Sequence, residues 1–242
     1  MKNYIATGII AISVIVAAAL LSNAWKKTHR THQTVSVTGL AEENFVSDLI
    51  VWNGSFSQKS MSLQDAYAAL KRDAEAIRNY LLSNGVSEKE IVFDPPSINK
   101  EYNYITNVNG SQTSVFNGYA LFQNVKVESN NVDKIEDVSR KVAELINTGI
   151  ELNSQPPQYY YTKLAELKIR MLAAASKDGR NRAEKIAENA DSDIGDLKKS
   201  EQGIFQITGQ NSGEDYSWGG AFNTTSKRKT ASVTVKQEFE LE

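Results

Sequence analysis

The stretch Thr34–Gln58, TVSVTGLAEENFVSDLIVWNGSFSQ, decides the fold. Val35 and Val37 alternate with Ser36 and Thr38, the period of a half-buried strand, and Gly39 is expected to close it. Phe45 to Ser57 is longer and apolar on both faces, with Leu49, Val51 and Trp52 close together. A strand covered on both sides belongs in the middle of a sheet. The chain therefore starts its folded part with a half-buried strand and a central strand.

Towards the C-terminus, Ser62-Leu-Gln-Asp65 reads as a capping box, the serine capping free N–H groups and the acid three residues on reciprocating. Leu63, Ala66, Tyr67, Leu70, Ala74, Ile77 and Leu81 follow at helical spacing, and Asn84-Gly85 is a left-handed stop, so a helix is predicted over 62–84. Ile91–Phe93 reads as a strand. Pro95-Pro96 removes two ladder donors and breaks that strand or confines it to an edge. Lys100–Ile105 is extended and tyrosine-rich, Asn109-Gly110 is a hairpin signal, and Val115–Glu128 is the return strand.

A second helix carries Val132, Ile135, Val138, Val142, Leu145 and Ile146 and ends at Gly149. Ile150–Leu152 and Tyr159–Tyr161 read as strand, interrupted by Pro156-Pro157. Strand, helix, double-proline strand and tyrosine cluster thus occur at 45–104 and, more compactly, at 115–161. That weak repeat of topology suggests two βαβ-type halves sharing one antiparallel sheet system. Thr162–Ala190 is a long helix with Gly179 in its middle, where glycine costs about 1 kcal/mol against alanine. Close approach of another backbone is the expected reason. Ile194–Ile207 is a strand region. In the last strand Ala231, Val233, Val235, Phe239 and Leu241 alternate with polar residues, which implies one wet face. The fold class is α+β, with a long C-terminal helix and closing strands.

Upstream of the opening stretch, Ile5 to Leu21 holds no charge. With Tyr4 and Ala24 it approaches the roughly 20 residues of a spanning helix. A signal peptide has a shorter apolar run, about 7 to 15 residues, although Ser22-Asn23-Ala24 offers a small-x-small cleavage site. Three outcomes stay open. One is a signal anchor at 1–25, a polar spacer at 26–33 and a folded domain at 34–242; the second is a cleaved signal, and the third is a buried core helix. Lys26, Lys27 and Arg30 alone would hold the domain in the cytoplasm, but that rule is weakest for a tail as short as Met1–Asn3. The absence of cysteine leaves the redox compartment open.

The chemical inventory is sparse. A formal charge of −2 over 242 residues gives no basic field for nucleic acid. His29 and His32 are the only histidines and both lie in the spacer, so the folded domain cannot carry a Ser-His-Asp, Cys-His or histidine-zinc site. Ser97-x-x-Lys100 matches one penicillin-binding motif, but no S-D-N exists and Lys229-Thr230 is followed by Ala231. Asp191, Asp193 and Asp196 resemble half a calcium loop, with Gln202 where the twelfth-place glutamate belongs. Glu42-Glu43, Glu88 and Glu90 read as helix-start or turn acids, and Lys227–Lys229 as strand-edge lysines. No catalytic, cofactor-binding or metal-ligating residue is assigned.

Aromatic residues are what remain. Gly203–Ser226 is a long Gly-, Ser- and Asn-rich loop carrying Tyr216, Trp218 and Phe222. It reads as an oligomer contact, a pore-lining or membrane-touching flap, or an unstructured insertion. Tyr102, Tyr104, Tyr159, Tyr160 and Tyr161 read as a binding face for a glycan, peptide or partner protein, or as sheet packing with hydroxyls at the rim.

An ordered set of short features resembles the SIMPL domain, a domain of unknown function. The set is Val35-Ser36-Val37-Thr38-Gly39, Asp48 opening a long strand, Asp65-Ala66 in the first helix, Gly118-Tyr119 opening a strand, and Val132-Asp133-Lys134 opening the second helix. The alanine-rich helix Leu172–Ala190 ending in Ile194-Gly195 and the final Val-x-Val-x-x-x-Phe-x-Leu strand complete it. The resemblance covers roughly 33 to 242. It departs at Ser47, where the family usually has proline, and at the aromatic run around Tyr159–Tyr161. It implies an exported, often membrane-anchored bacterial domain; some members resemble surface antigens that assemble into ring- or channel-like oligomers, and others are linked to oxidative-stress tolerance. The family has no established catalytic residues. The expectation is a non-enzymatic tethered extracytoplasmic protein that self-assembles, alone or with an envelope protein, the alternative being a monomeric binding module.

Overall fold

The computed structural model describes residues 15–22, 33–106, 110 and 112–242. Residues 15–22 are helical, with Ile15, Val16, Leu20 and Leu21 exposed. The rest of the apolar segment, and the spacer with His29 and His32, lie outside the described residues. Among the described residues no helix is long and apolar enough to cross a membrane.

From Thr34 onward the protein is α+β. The strands are β1 (Thr34–Val46), β2 (Leu49–Ser60), β3 (Ile91–Phe93), β4 (Ser97–Thr106), β5 (Gln112–Ser129), β6 (Asn153–Ser154), β7 (Gln158–Tyr160), β8 (Ile194–Gln202), β9 (Gln206–Gly209) and β10 (Arg228–Leu241). The helices are α1 (Leu63–Ser83), α2 (Val132–Lys141) and α3 (Leu164–Glu188), with 3₁₀ turns at Glu88–Glu90 and Val142–Thr148. One sheet has the order β3-β5-β2-β6, with β4 also on β5 and β7 also on β2; the other has β1-β10-β8, with β9 also on β10.

The chain divides into two compact units, one of residues 41–174 and 204–234, the other of 1–40, 175–203 and 235–242. In the first, β2 and β3 both run antiparallel to β5, so they are parallel to each other with β5 between them. Likewise β5 and the β6–β7 pair flank β2. Each strand–helix–strand half is thus split by a strand of the other, the β-α-β-β-α-β order of ferredoxin-like sheets. Ile50, Trp52 and Phe56 of β2 and Leu121, Val125 and Val127 of β5 bury one face under α1 and α2. Trp52 is fully buried, and its indole N–H donates to Ser154 Oγ at 2.9 Å, so the ring is packed without an orphaned donor.

Helix α1 forms where its spacing demands. Ala66, Leu70, Ile77 and Leu81 face the sheet, and each fully buried aliphatic side chain contributes about 1.5–3 kcal/mol. The cap is half of the expected box: Ser62 Oγ accepts from Asp65 N–H, but Ser62 N–H donates to Ser60 Oγ, not to Asp65. Gly85, at φ +80°, makes the left-handed exit. Gly149, at φ +84°, ends the second helical region in the same way.

Three boundaries differ from the sequence reading. Strand β1 runs straight through Gly39, and the break comes at Ser47-Asp48, because that glycine serves packing, not termination. Ile150–Leu152 is not strand; pairing to β2 starts at Asn153. Glu42 and Glu43 lie inside β1, where Glu43 pairs with Arg170 at 2.8 Å, not at a helix start.

In the second unit Val35, Val37, Ala183 and Phe239 form a small core. Gly179 of α3 meets the backbone of β1 there: a Cβ on Gly39 would lie 2.8 Å from Gly179 Cα and closer still to Ala175 O and Gly179 N. Another backbone does come close to Gly179, but the residue that must lack a side chain for it is Gly39; a Cβ on Gly179 would meet the Gln237 amide instead. Leu40 N–H donates to Asp178 Oδ2 at 2.9 Å beside it. This hydrogen bond, then the Arg182 guanidinium, hold the Asp178 carboxyl below the usual carboxylate range.

Candidate functional site

The loop before β10 is a built platform. Gln206, buried in β9, accepts from Ser217 N–H at 3.2 Å and Ala221 N–H at 2.7 Å, and donates to Ser217 O at 2.8 Å. Glu214 accepts from Gly209 N–H at 3.0 Å and from the Asn223 amide, and Asn223 in turn accepts from Ser226 N–H. Ile207 N–H donates to Ala221 O and Asn223 N–H to Ile207 O, tying the returning strand segment to β9. This platform holds Trp218 in solvent at 96% exposure, with Tyr216 and Phe222 also exposed and Ser232 Oγ donating to Tyr216 Oη. Of 203–226, residues 206–209 are strand.

Beneath the loop sits a group that the sequence reading misplaced. Lys229 is only 2% exposed, and its ammonium donates to Tyr159 O at 2.7 Å and to Asn223 O. Burial pushes its pKa down to about 8, against a small opposing effect of Glu214. Lys227 pairs with Asp133 and, at 2.9 Å, with Glu136. The Lys-Arg-Lys run is therefore not an edge guard. A lysine in a period-2 strand gives no hint of burial unless the covering loop is known.

The tyrosines fall into two places. Tyr102 and Tyr104 stand on β4, opposite Phe116 and Ser114. Tyr159, Tyr160 and Tyr161 lie at or just after β7, which pairs with β2 at Leu49–Val51. Position 116 and position 129, the latter opposite Ile50, are 13 residues apart on β5, about 40 Å at ~3.3 Å per residue. No single face holds both clusters. Tyr159 is buried, and burial followed by Glu136 raises its phenol pKa. Tyr161 packs on the Phe45 ring at 4.8 Å. Tyr160 and Tyr161 are half-buried.

Tyr102 and Tyr104 are different. Beyond Ser60, where β2 stops, β4 and β5 continue as a two-stranded ribbon exposed on both faces. The register slips between Glu101 and Tyr102, and Gly118 sits at φ +106° with Ser60 O 2.7 Å from where a Cβ would be. This bulge bends the ribbon away, and the edge contacts Tyr102–Phe116 (5.9 Å) and Phe116–Tyr119 (5.2 Å) brace it. Tyr104 is 71% exposed at its outer part.

Along β2, Ser55, Ser57 and Phe122 of the outer face join Ile146, Glu151, Leu152 and Asn153 around an open groove of about 510 Å³. Phe122 and Ile146 are exposed, and Leu152 and Phe56 are its buried floor.

Ser97 lies on β4, not at a helix start, and its hydroxyl faces Phe122 O. Asp191, at φ +54°, is in the turn that brings Asp193 N–H to Glu242 O. Among the described residues no three His, Cys, Asp or Glu side chains group as a metal site. Asp48 is a staple: its carboxylate accepts from Thr162 N–H and Thr162 Oγ, both at 2.7 Å, just ahead of α3.

The split sheet with its second sheet, the displayed loop and the ribbon define an α+β domain whose distinctive side chains are exposed aromatics on backbone-built platforms. The chain belongs to the SIMPL family, described as a protein of unknown function (DUF541), whose family model matches residues 35–240. No curated protein matches it. The Ser47 backbone N–H donates to Lys227 O at 2.9 Å, a bond that a proline there could not make.

Proposed function

We propose that this SIMPL protein is non-enzymatic, tethered to a membrane with its domain outside the cytoplasm, and self-assembling through the Trp218 loop. The tether is supported by the uncharged run Ile5–Leu21; cleavage after Ala24, releasing a periplasmic protein, is the other processing outcome. A role in envelope or oxidative-stress tolerance is carried by the family resemblance alone. Assembly is carried by one observation: an indole left almost wholly in water on a loop fixed by a buried glutamine. Rigid, exposed tryptophan is the residue type that anchors protein interfaces, since its ordering cost is met before binding.

The test is the native mass of the full chain in mild detergent, by light scattering after size exclusion, for the wild type and Trp218→Ala. A discrete oligomer that dissociates in the variant supports the reading; a monomer in both overturns it. Removing 204–226 would be a poorer test, because it deletes β9 and strips Lys229 of its Asn223 partner.

A second reading is favoured by the ribbon. Among the described residues the outer edge of β4 pairs with no other strand, and after Glu101 the run Tyr102–Thr106 carries no charge. Natural edges are usually guarded by lysine, proline or a covering element, so an unguarded edge suits an added strand from a partner. The variant pair Tyr104→Lys and Ile105→Lys would abolish partner capture under this reading and leave native mass unchanged.

A further inference from the structure

We infer that Trp218 of one copy seats in the groove lined by Phe122, Ile146 and Leu152 of a second copy. The inference rests on the assembly reading above and names its contact. Both halves lie within the same compact unit, so each copy presents a knob and a hole. Within one chain they do not meet, since Trp218 is 96% exposed. Tyr159 N–H holds the loop at Thr224 O, and Tyr159 faces Ile50 on β2. The groove begins five residues further along β2, at Ser55, roughly 17 Å at ~3.3 Å per residue.

The chemistry matches. The groove offers exposed Phe122 and Ile146 above buried Leu152 and Phe56, with Glu151 as its one charged lining residue. Its volume of about 510 Å³ exceeds that of an indole and leaves room for Phe222 beside it. The exposed parts of Tyr216, Trp218 and Phe222 amount to about 300–550 Å², taking ~150–250 Å² per aromatic side chain. That is roughly half of the ~800 Å² each partner contributes to a standard stable interface. Because the knob and the groove are different patches, the contact is heterologous and repeats from copy to copy until it closes.

Two surface variants test this in the full chain in mild detergent. Trp218→Ala removes the knob and keeps the groove; Ile146→Glu charges the groove and keeps the knob, at a position that is 62% exposed. Each variant alone is expected to be monomeric, with an unchanged circular dichroism spectrum. An equimolar mixture is expected to recover dimers, because the intact knob of one meets the intact groove of the other. Monomers in the mixture overturn the inference. If the wild type assembles and either variant retains its mass, the contact lies elsewhere and only this inference falls. A monomeric wild type, including one whose Trp218 is instead quenched by brominated lipid, overturns both readings.

Discussion

Replacing Gly39 by alanine should cost at least about 3 kcal/mol of stability, and replacing Gly179 close to nothing. A Cβ at 39 lies 2.8 Å from Gly179 Cα and closer still to Ala175 O and Gly179 N, all backbone. Ordinary contact needs about 3.4 Å or more, so β1 and α3 must part by more than an ångström. Overpacking relieved by side-chain and backbone shifts costs about 1–3 kcal/mol, occasionally more. No rotamer relieves this one, so the upper end or more applies, and the movement also stretches the Leu40–Asp178 bond. A domain stable by about 5–15 kcal/mol loses a large share of that. A Cβ at 179 instead meets the amide end of Gln237, with Cδ at 3.2 Å and Gly39 N at 3.4 Å. Gln237 can swing aside, and alanine returns about 1 kcal/mol of helix propensity. Urea unfolding followed by far-ultraviolet circular dichroism reads both. Gly39→Ala within 1 kcal/mol of wild type, or Gly179→Ala costing more than Gly39→Ala, would refute the argument.

Asp48→Ala removes two 2.7 Å bonds to Thr162 and should cost about 1–2 kcal/mol in the same assay, while Trp218→Ala should stay within about 0.5 kcal/mol. Lys229 gives a pH signature. Its pKa falls from 10.5 to about 8 on folding, so the unfolded chain binds more protons between those values and stability rises with pH across that window. The rise is worth about 3 kcal/mol at ~1.4 kcal/mol per pKa unit, and Lys229→Met should lack it when the unfolding free energies of the two proteins are compared from pH 7 to 10.5. Gln206→Ala should speed amide hydrogen exchange at Ser217 and Ala221 by tenfold or more with little loss of global stability; unchanged exchange would mean that the loop is held by other contacts.

Local rules reach only part of this protein. Helix α1 is readable from Ser62, its apolar spacing and Gly85, because caps and periodicity act within a few residues. Pro95-Pro96 marks the break ahead of β4, and Pro156-Pro157 the one between β6 and β7, for the same reason. The loop aromatics are legible as a candidate site by residue type and loop length alone.

The α+β class, the two strand–helix–strand halves and the family are legible in consecutive residues, since they rest on periodicity and turn chemistry. Which polar residues are buried and which aromatics are free depends on packing between distant segments. By its neighbours Gly39 reads as a strand end, yet α3 packs against it; by the same measure Lys229 reads as an edge lysine, yet the Gln206-held loop covers it. Tyr159 and Tyr104 are the same residue in similar strands, yet one is buried beside Glu136 and the other stands in solvent on a ribbon. Exposure is set by what the rest of the chain brings across from distant positions, and no short-range pattern encodes that.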